Sequence, residues 1–213
     1  MTDEERRRWN DHYEDSTHRS PGDPSAVLEA FVDDIPAGRA LDIATGGGRN
    51  ARFLAECGWR VDAIDISSTV LSRAREREQD RERSLERRLG INWILADVDR
   101  YGFRLNAYDL VTISFFDARD RLPAILDALA PGGVLVYEHY LDDANSGGPG
   151  SPGNRYRFEP NELLEACSRL EIRYYAERDV DGERLVTLVG HRPEDPAGGE
   201  SEHGEWFPTF RVP

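Results

Sequence analysis

Ala40-Leu41-Asp42-Ile43-Ala44-Thr45-Gly46-Gly47-Gly48-Arg49-Asn50 is the stretch that decides the fold. The apolar run over residues 39–44 predicts a strand. Three glycines follow it, and residues 50–57 have helical composition, ended by Gly58. Glycine permits positive φ and lets a ligand approach the backbone closely. A helix opening directly on such a turn presents free N–H groups and a partial positive charge to an anion.

Outward from this turn, strand and helix patterns alternate. Residues 61–66 predict a second strand. Ser67 or Ser68 then caps a helix over about 69–89 that ends at Gly90. That helix is dense in Arg and Glu. Opposite charges at i,i+3 (Arg73–Glu76, Arg75–Glu78, Arg77–Asp80, Arg83–Glu86) make it a self-neutralising, solvated face. Further strands are predicted at 91–95, 108–116 and 134–140, with a helix over 121–129 stopped by Pro131-Gly132-Gly133. Residues 160–168 predict a short helix. Two last strands, 170–178 and 184–191, flank the tight turn Val180-Asp181-Gly182-Glu183. Alternation over the first five strands implies an α/β protein with a doubly wound, mainly parallel sheet. The last two strands are too close for a crossover helix, so they form an antiparallel hairpin.

The 213 residues suit one domain with appended ends: a helical extension or lid over 1–24, the domain over 25–192 and a polar tail over 193–213. Residues 142–153, rich in Gly, Pro, Ser and Asn, leave the fifth strand as a substrate loop or a plain surface loop. No apolar run approaches the ~20 residues of a membrane helix. The first ten residues lack the apolar segment of a secretory signal, so the expected location is cytoplasmic. Basic residues number 27, all Arg, against 41 acidic ones, for a net charge of −14. Acidity without lysine resembles proteins of salt-loving organisms; an acidic mesophilic protein from a GC-rich genome has the same composition. Such charge argues against a nucleic-acid partner, which needs a positive footprint. Cys57 and Cys167 lack CxxC partners and the five His lack ligand spacing, so no metal site is expected. A monomer or homodimer is expected.

The glycine turn fits two cofactors. Gly46-Gly47-Gly48-Arg49-Asn50-Ala51 satisfies the dinucleotide pattern G-x-G-x-x-A, and Asp65 lies near the distance expected of its acidic partner. The anion at the helix would then be pyrophosphate. In S-adenosylmethionine it would be the methionine carboxylate. Three features favour the latter. Asp42, just ahead of the turn, would repel pyrophosphate but can accept from an ammonium. Ala96-Asp97-Val98 after the third strand offers a carboxylate to an adenine amino group. The closing hairpin is unusual among dinucleotide-binding sheets.

With these residues in view, the chain resembles the class I S-adenosylmethionine-dependent methyltransferases, most similar to the tellurite-resistance (TehB-like) small-molecule group. The likeness rests on Trp9 with Tyr13, the loop 42–50, Trp59-Arg60-Val61-Asp62-Ala63-Ile64-Asp65-Ile66-Ser67, Ala96-Asp97, Tyr108-Asp109-Leu110-Val111, Pro131-Gly132-Gly133 and Phe158-Glu159-Pro160-Asn161-Glu162-Leu163. It spans about residues 9–192. It implies a seven-stranded sheet in the order 3-2-1-4-5-7-6 and S-adenosyl-L-methionine as cofactor. The implied cofactor residues are Trp9, Tyr13, Asp42, Ala44, Thr45, Gly46, Gly48, Asn50, Asp65, Ile66, Ser67, Asp97, Val98, Ser114 and Phe115. Asp65 is expected to take the ribose hydroxyls, Asp97 and Val98 to frame the adenine, and Ser114 and Phe115 to line the methionine arm. Phe115 and Phe116 equally suit the core. Ala44 replaces the family's usual first loop glycine, a change tolerated where φ is negative.

Methyl transfer needs no covalent nucleophile, so candidates for acceptor chemistry are fewer. His139 and Tyr140 end the fifth strand; His139 shares a face with Tyr137 and reads equally as a satisfied core histidine. Arg155, Tyr156 and Arg157, and less strongly Arg119, suit an anionic acceptor or ordinary salt bridges. The expected activity is methyl transfer to a small nucleophile: a thiol, chalcogen or oxyanion species. The alternatives are a nicotinamide-dependent oxidoreductase and a non-catalytic S-adenosylmethionine-binding protein.

Overall fold

The computed structural model describes residues 3–15, 21–142 and 156–194. Arg155, residues 143–153 of the glycine-rich loop and the tail beyond 194 lie outside the described residues. In chain order the elements are α1 (Asp3–Asp15), α2 (Ala26–Val32), β1 (Arg39–Ile43), α3 (Arg49–Glu56), β2 (Arg60–Asp65), α4 (Ser68–Leu85), β3 (Asn92–Leu95), β4 (Tyr108–Ser114), α5 (Leu122–Ala128), β5 (Leu129–Tyr140), α6 (Glu162–Ala166), β6 (Glu171–Val180) and β7 (Glu183–His191). One turn of 3-10 helix, Arg119–Arg121, leads into α5.

The strands form one sheet in the order β3-β2-β1-β4-β5-β7-β6. β1 to β5 pair in parallel, and β7 runs antiparallel to both β5 and β6. This is the order the resemblance implied. The closing hairpin turns on Asp181 and Gly182, at φ 51° and 86°. Asp-Gly tolerates two successive left-handed residues, the geometry whose twist matches paired strands.

The central strands are apolar on both faces, as a sheet covered on both sides requires. Leu41, Ile43, Val111, Ile113 and Leu135 pack under α5 and α6. Ala40, Leu110, Val134 and Val136 face α2, α3 and α4. Each buried Leu, Ile or Val side chain contributes roughly 1.5–3 kcal/mol.

Two boundaries differ from expectation. α4 stops at Leu85, and Glu86 takes a left-handed φ of 53°. The helix cannot run on to Gly90, because its own carboxylates capture the backbone that follows: Glu82 accepts from Leu89 N–H (2.7 Å) and Glu78 from Ile91 N–H (3.0 Å). Glu78 also accepts from the Trp93 indole at 2.6 Å, so it is buried rather than a solvated partner of Arg75. The second difference is β5, which starts at Leu129 and runs through Pro131-Gly132-Gly133. A register shift against β4 between Tyr108 and Leu110 absorbs those residues.

Strand order reverses between β1, with β2 on one side, and β4 on the other. The crevice at their carboxyl ends is where open α/β sheets take ligands. Gly48, at φ 76°, caps α3 at the edge of this crevice, and a Cβ there would collide with the Trp93 ring. Strain and overpacking together predict that Gly48→Ala costs about 2–4 kcal/mol, read as a lowered urea midpoint. An unchanged midpoint would show that neither constraint acts.

Candidate cofactor and acceptor site

A cavity of about 480 Å³ opens at the carboxyl ends of the strands, within the ~300–1,000 Å³ usual for small-ligand sites. β1 supplies Asp42 and the turn Ala44–Gly47; α3 adds Arg49 and Asn50; β2 adds Asp65 and Ile66. Val98 follows β3, Ser114, Phe115 and Phe116 end β4, and Tyr140 ends β5. Trp9, Tyr13 and Pro21 from the N-terminal segment complete the wall.

Asp42 is 2% exposed. The Thr45 hydroxyl donates to it at 2.5 Å. Burial pushes its carboxyl up to about 7, against the pull of Thr45, Arg49 and the Ala51 backbone. Asp65 is likewise buried and its pKa raised by that burial. Its two oxygens accept from Gly46 N–H (2.8 Å) and Ser67 N–H (2.9 Å). Gly46 has φ 53°, and a Cβ there would lie 3.2 Å from the Tyr13 hydroxyl. The glycine turn thus lets the N-terminal segment close in. Tyr13 itself is raised in pKa by burial and then by Asp65.

At the far side a polar chain crosses from α3 to β5. Asn50 accepts from Ser25 N–H (2.9 Å) and donates to Ser114 Oγ (3.0 Å). Ser114 donates to Glu138 Oε1 (2.9 Å), which also accepts from Arg49 (2.8 Å). Arg49 lies over the Phe115 ring, 5.6 Å from its centroid, and Tyr140 packs 4.9 Å from Phe115. Phe115, Phe116 and Tyr140 form an aromatic wall beside these groups.

Residues 40–133 match the methyltransferase-domain family. TehB from Haemophilus influenzae superposes with a TM-score of 0.63 at 20% identity, over 78% of this chain and 61% of that one. The matched segment is a methyltransferase domain, and the fold around it is the one that class I S-adenosylmethionine-dependent methyltransferases share. S-adenosyl-L-methionine is the cofactor this assignment carries. Among curated relatives, the demethylmenaquinone methyltransferase of Renibacterium salmoninarum is 31% identical over 119 residues, 54% of this chain and 46% of that protein. The glycine/sarcosine N-methyltransferase of Halorhodospira halochloris is 32% identical over 151 residues, 66% of this chain and 52% of that protein. The chain spans about half the length of these relatives.

Most residues that the sequence assigned to the cofactor line the cavity of this methyltransferase-type domain, but three do not. Gly48 makes room for Trp93. Ser67, fully buried, caps α4 through Val70 N–H (3.3 Å) and donates to Asn10. Asp97 is turned into its own turn, accepting from Asp99 N–H at 2.9 Å. Ala44 departs differently: its φ is 52°, not negative, so alanine sits in a conformation that costs about 1–2 kcal/mol outside glycine.

The acceptor candidates separate more sharply. Tyr140 lines the cavity, whereas His139 lies on the opposite face with Tyr137, 5.4 Å from the Phe158 ring. Burial lowers the His139 pKa to about 4. Its Nδ1 accepts from Tyr140 N–H at 2.7 Å, which leaves the proton of the neutral ring on Nε2. That atom is buried without a hydrogen-bond partner among the described residues, so His139 is only half satisfied. Arg119 pairs with Asp117 (3.0 Å) and Glu162 (3.2 Å), and Arg157 with Glu183 (2.9 Å). Both are structural struts, not open anion sites. Tyr156 is 40% exposed and outside the cavity lining. The sequence reading missed Arg49, although it stands within the opening motif.

Asp42 sets a pH dependence. A cationic ligand group docking on it needs the ionised carboxylate, and the free site holds its proton up to about pH 7. Affinity for S-adenosylhomocysteine, which carries the ammonium, therefore rises with pH, by about tenfold from pH 6 to 8. Asp42→Asn abolishes the rise. A flat calorimetric profile for the parent protein over that range would contradict this.

Proposed function

We propose that the chain transfers the methyl group of S-adenosylmethionine to a small-molecule nucleophile of the thiol, chalcogen or oxyanion type. The observation that carries the cofactor in this reading is Asp42: a buried carboxylate directly beneath a glycine turn suits an ammonium and repels pyrophosphate, while the acceptor class rests on the resemblance to the TehB-like group. Asp65, ending β2, suits the ribose hydroxyls. Ile66 and Val98, both buried apolar residues of the lining, suit the adenine faces. The turn N–H groups and Arg49 suit a carboxylate.

Bound there, the cofactor supplies an electrophilic methyl carbon on a sulfonium that leaves as a neutral thioether. The protein aligns and shields the reactants. Trp9 and Tyr13 cover one side of the cavity, and the wall of Phe115, Phe116 and Tyr140 keeps water from the other. Alignment of this kind can supply ~7–11 kcal/mol of the barrier. Soft nucleophiles that reach the site already ionised need no protein base. This accords with His139 lying on the far face.

A methylation screen over thiols, halides and chalcogen oxyanions at high salt, reading S-adenosylhomocysteine release, tests the proposal. Acceptor-dependent release with at least one class is expected. Cofactor binding with no release across the panel would make the chain a binding module instead.

A further inference from the structure

The Asp65 carboxylate continues into a hydrogen-bonded chain that leaves the cavity. Ser67 donates its N–H to Asp65 Oδ1 at 2.9 Å and its hydroxyl to Asn10 Oδ1 at 2.7 Å. Asn10 Oδ1 also faces Thr69 N–H at 3.5 Å, in the first turn of α4. Ser67 is fully buried, so its hydroxyl has only protein partners to choose between: Asn10 as acceptor and Val70 N–H as donor.

The other end of this chain is α1. It has 13 residues, and its aromatic side chains, Trp9 and Tyr13, stack on each other one helical turn apart. Isolated helices of this length are marginal in water, so α1 depends on docking. Its docking is polar. Asn10 lies between the two aromatics and binds the α4 terminus, and Arg73 of α4 donates to the Tyr13 carbonyl. Trp9 and Tyr13 in turn line the cavity, with the Tyr13 hydroxyl set against Gly46, whose N–H is held by the other oxygen of Asp65.

We propose that Asn10 is a positioning residue: through Ser67 it latches α1 to the α4 terminus and so holds Trp9 and Tyr13 over the end of the cavity formed by Asp65. Asn10 lies outside the cavity lining and acts through Ser67 and its own helix. The inference rests on the cofactor reading in one respect only, that occupancy of the cavity and order of α1 reinforce each other.

The test compares the parent chain, Asn10→Ala and Asn10→Asp. Amide exchange is read over residues 3–15, and S-adenosylhomocysteine affinity by calorimetry. Asn10→Ala removes the acceptor. It is expected to lose exchange protection in α1 while the strands keep theirs, and to weaken binding about three- to tenfold. Asn10→Asp keeps an acceptor oxygen at the positive end of α4 and is expected to restore both. Unchanged α1 protection in Asn10→Ala, or failure of Asn10→Asp to restore it, overturns the latch. If the parent chain takes up no S-adenosylhomocysteine, the cofactor reading fails, while exchange in the free proteins still decides the latch.

Discussion

The Asp65 carboxylate joins three segments: the end of β2, the glycine turn after β1 and the start of α4. Its oxygens accept from Gly46 N–H in the turn and from Ser67 N–H at the helix start. Hydrogen bonds to a charged group contribute roughly 1.5–3 kcal/mol each, which offsets part of the cost of burying the carboxylate. The glycine turn is thereby fixed against the neighbouring strand, and α4 begins where its cap, Ser67, can also receive Asn10. One side chain thus organises the turn, the long helix and the N-terminal segment around the same cavity.

Two non-glycine residues in left-handed conformation sit at the same level of the sheet. Ala44 after β1 and Phe115 after β4 both adopt left-handed φ, 52° and 55°, on neighbouring strands. Such conformations persist where surrounding contacts over-determine them. Thr45 donates its N–H to Ile64 O at 2.9 Å and its hydroxyl to Asp42. Phe115 N–H donates to Glu138 O at 3.0 Å. The buried Tyr137 hydroxyl bridges the turn that follows, donating to Phe116 O (2.7 Å) and accepting from Ala118 N–H (3.0 Å). The bends bring Ala44 and Phe115 into the cavity wall, where a straight strand would carry its next side chain past the crevice.

The run of parallel strands and the closing hairpin could be read from local periodicity and turn chemistry, while the sheet order came with the family resemblance. Asp-Gly at 181–182 specifies its turn without help from the rest of the chain. What could not be read depends on partners distant in sequence. Gly48 reads as a ligand glycine, but the group that needs its space is Trp93. Pro131-Gly132-Gly133 reads as a break, but β4 accommodates it as a register shift. Arg119 and Arg157 read equally as anion binders and as salt-bridge partners, and only Glu162 and Glu183 beside them decide for the second. Ala44 suits the turn without strain only where φ is negative, and backbone torsion is what residue identity alone leaves open. Arg49 and Glu138 meet only because β5 lies two strands from β1.

The glycine turn alone suits either S-adenosylmethionine or a dinucleotide, and buried Asp42 beneath it favours the former. Calorimetric titration of the full chain with S-adenosylhomocysteine and, separately, with reduced nicotinamide dinucleotide tests it directly. Saturable binding of the former at one site per chain, with no comparable binding of the latter, is expected; tight binding of the dinucleotide alone would overturn the assignment.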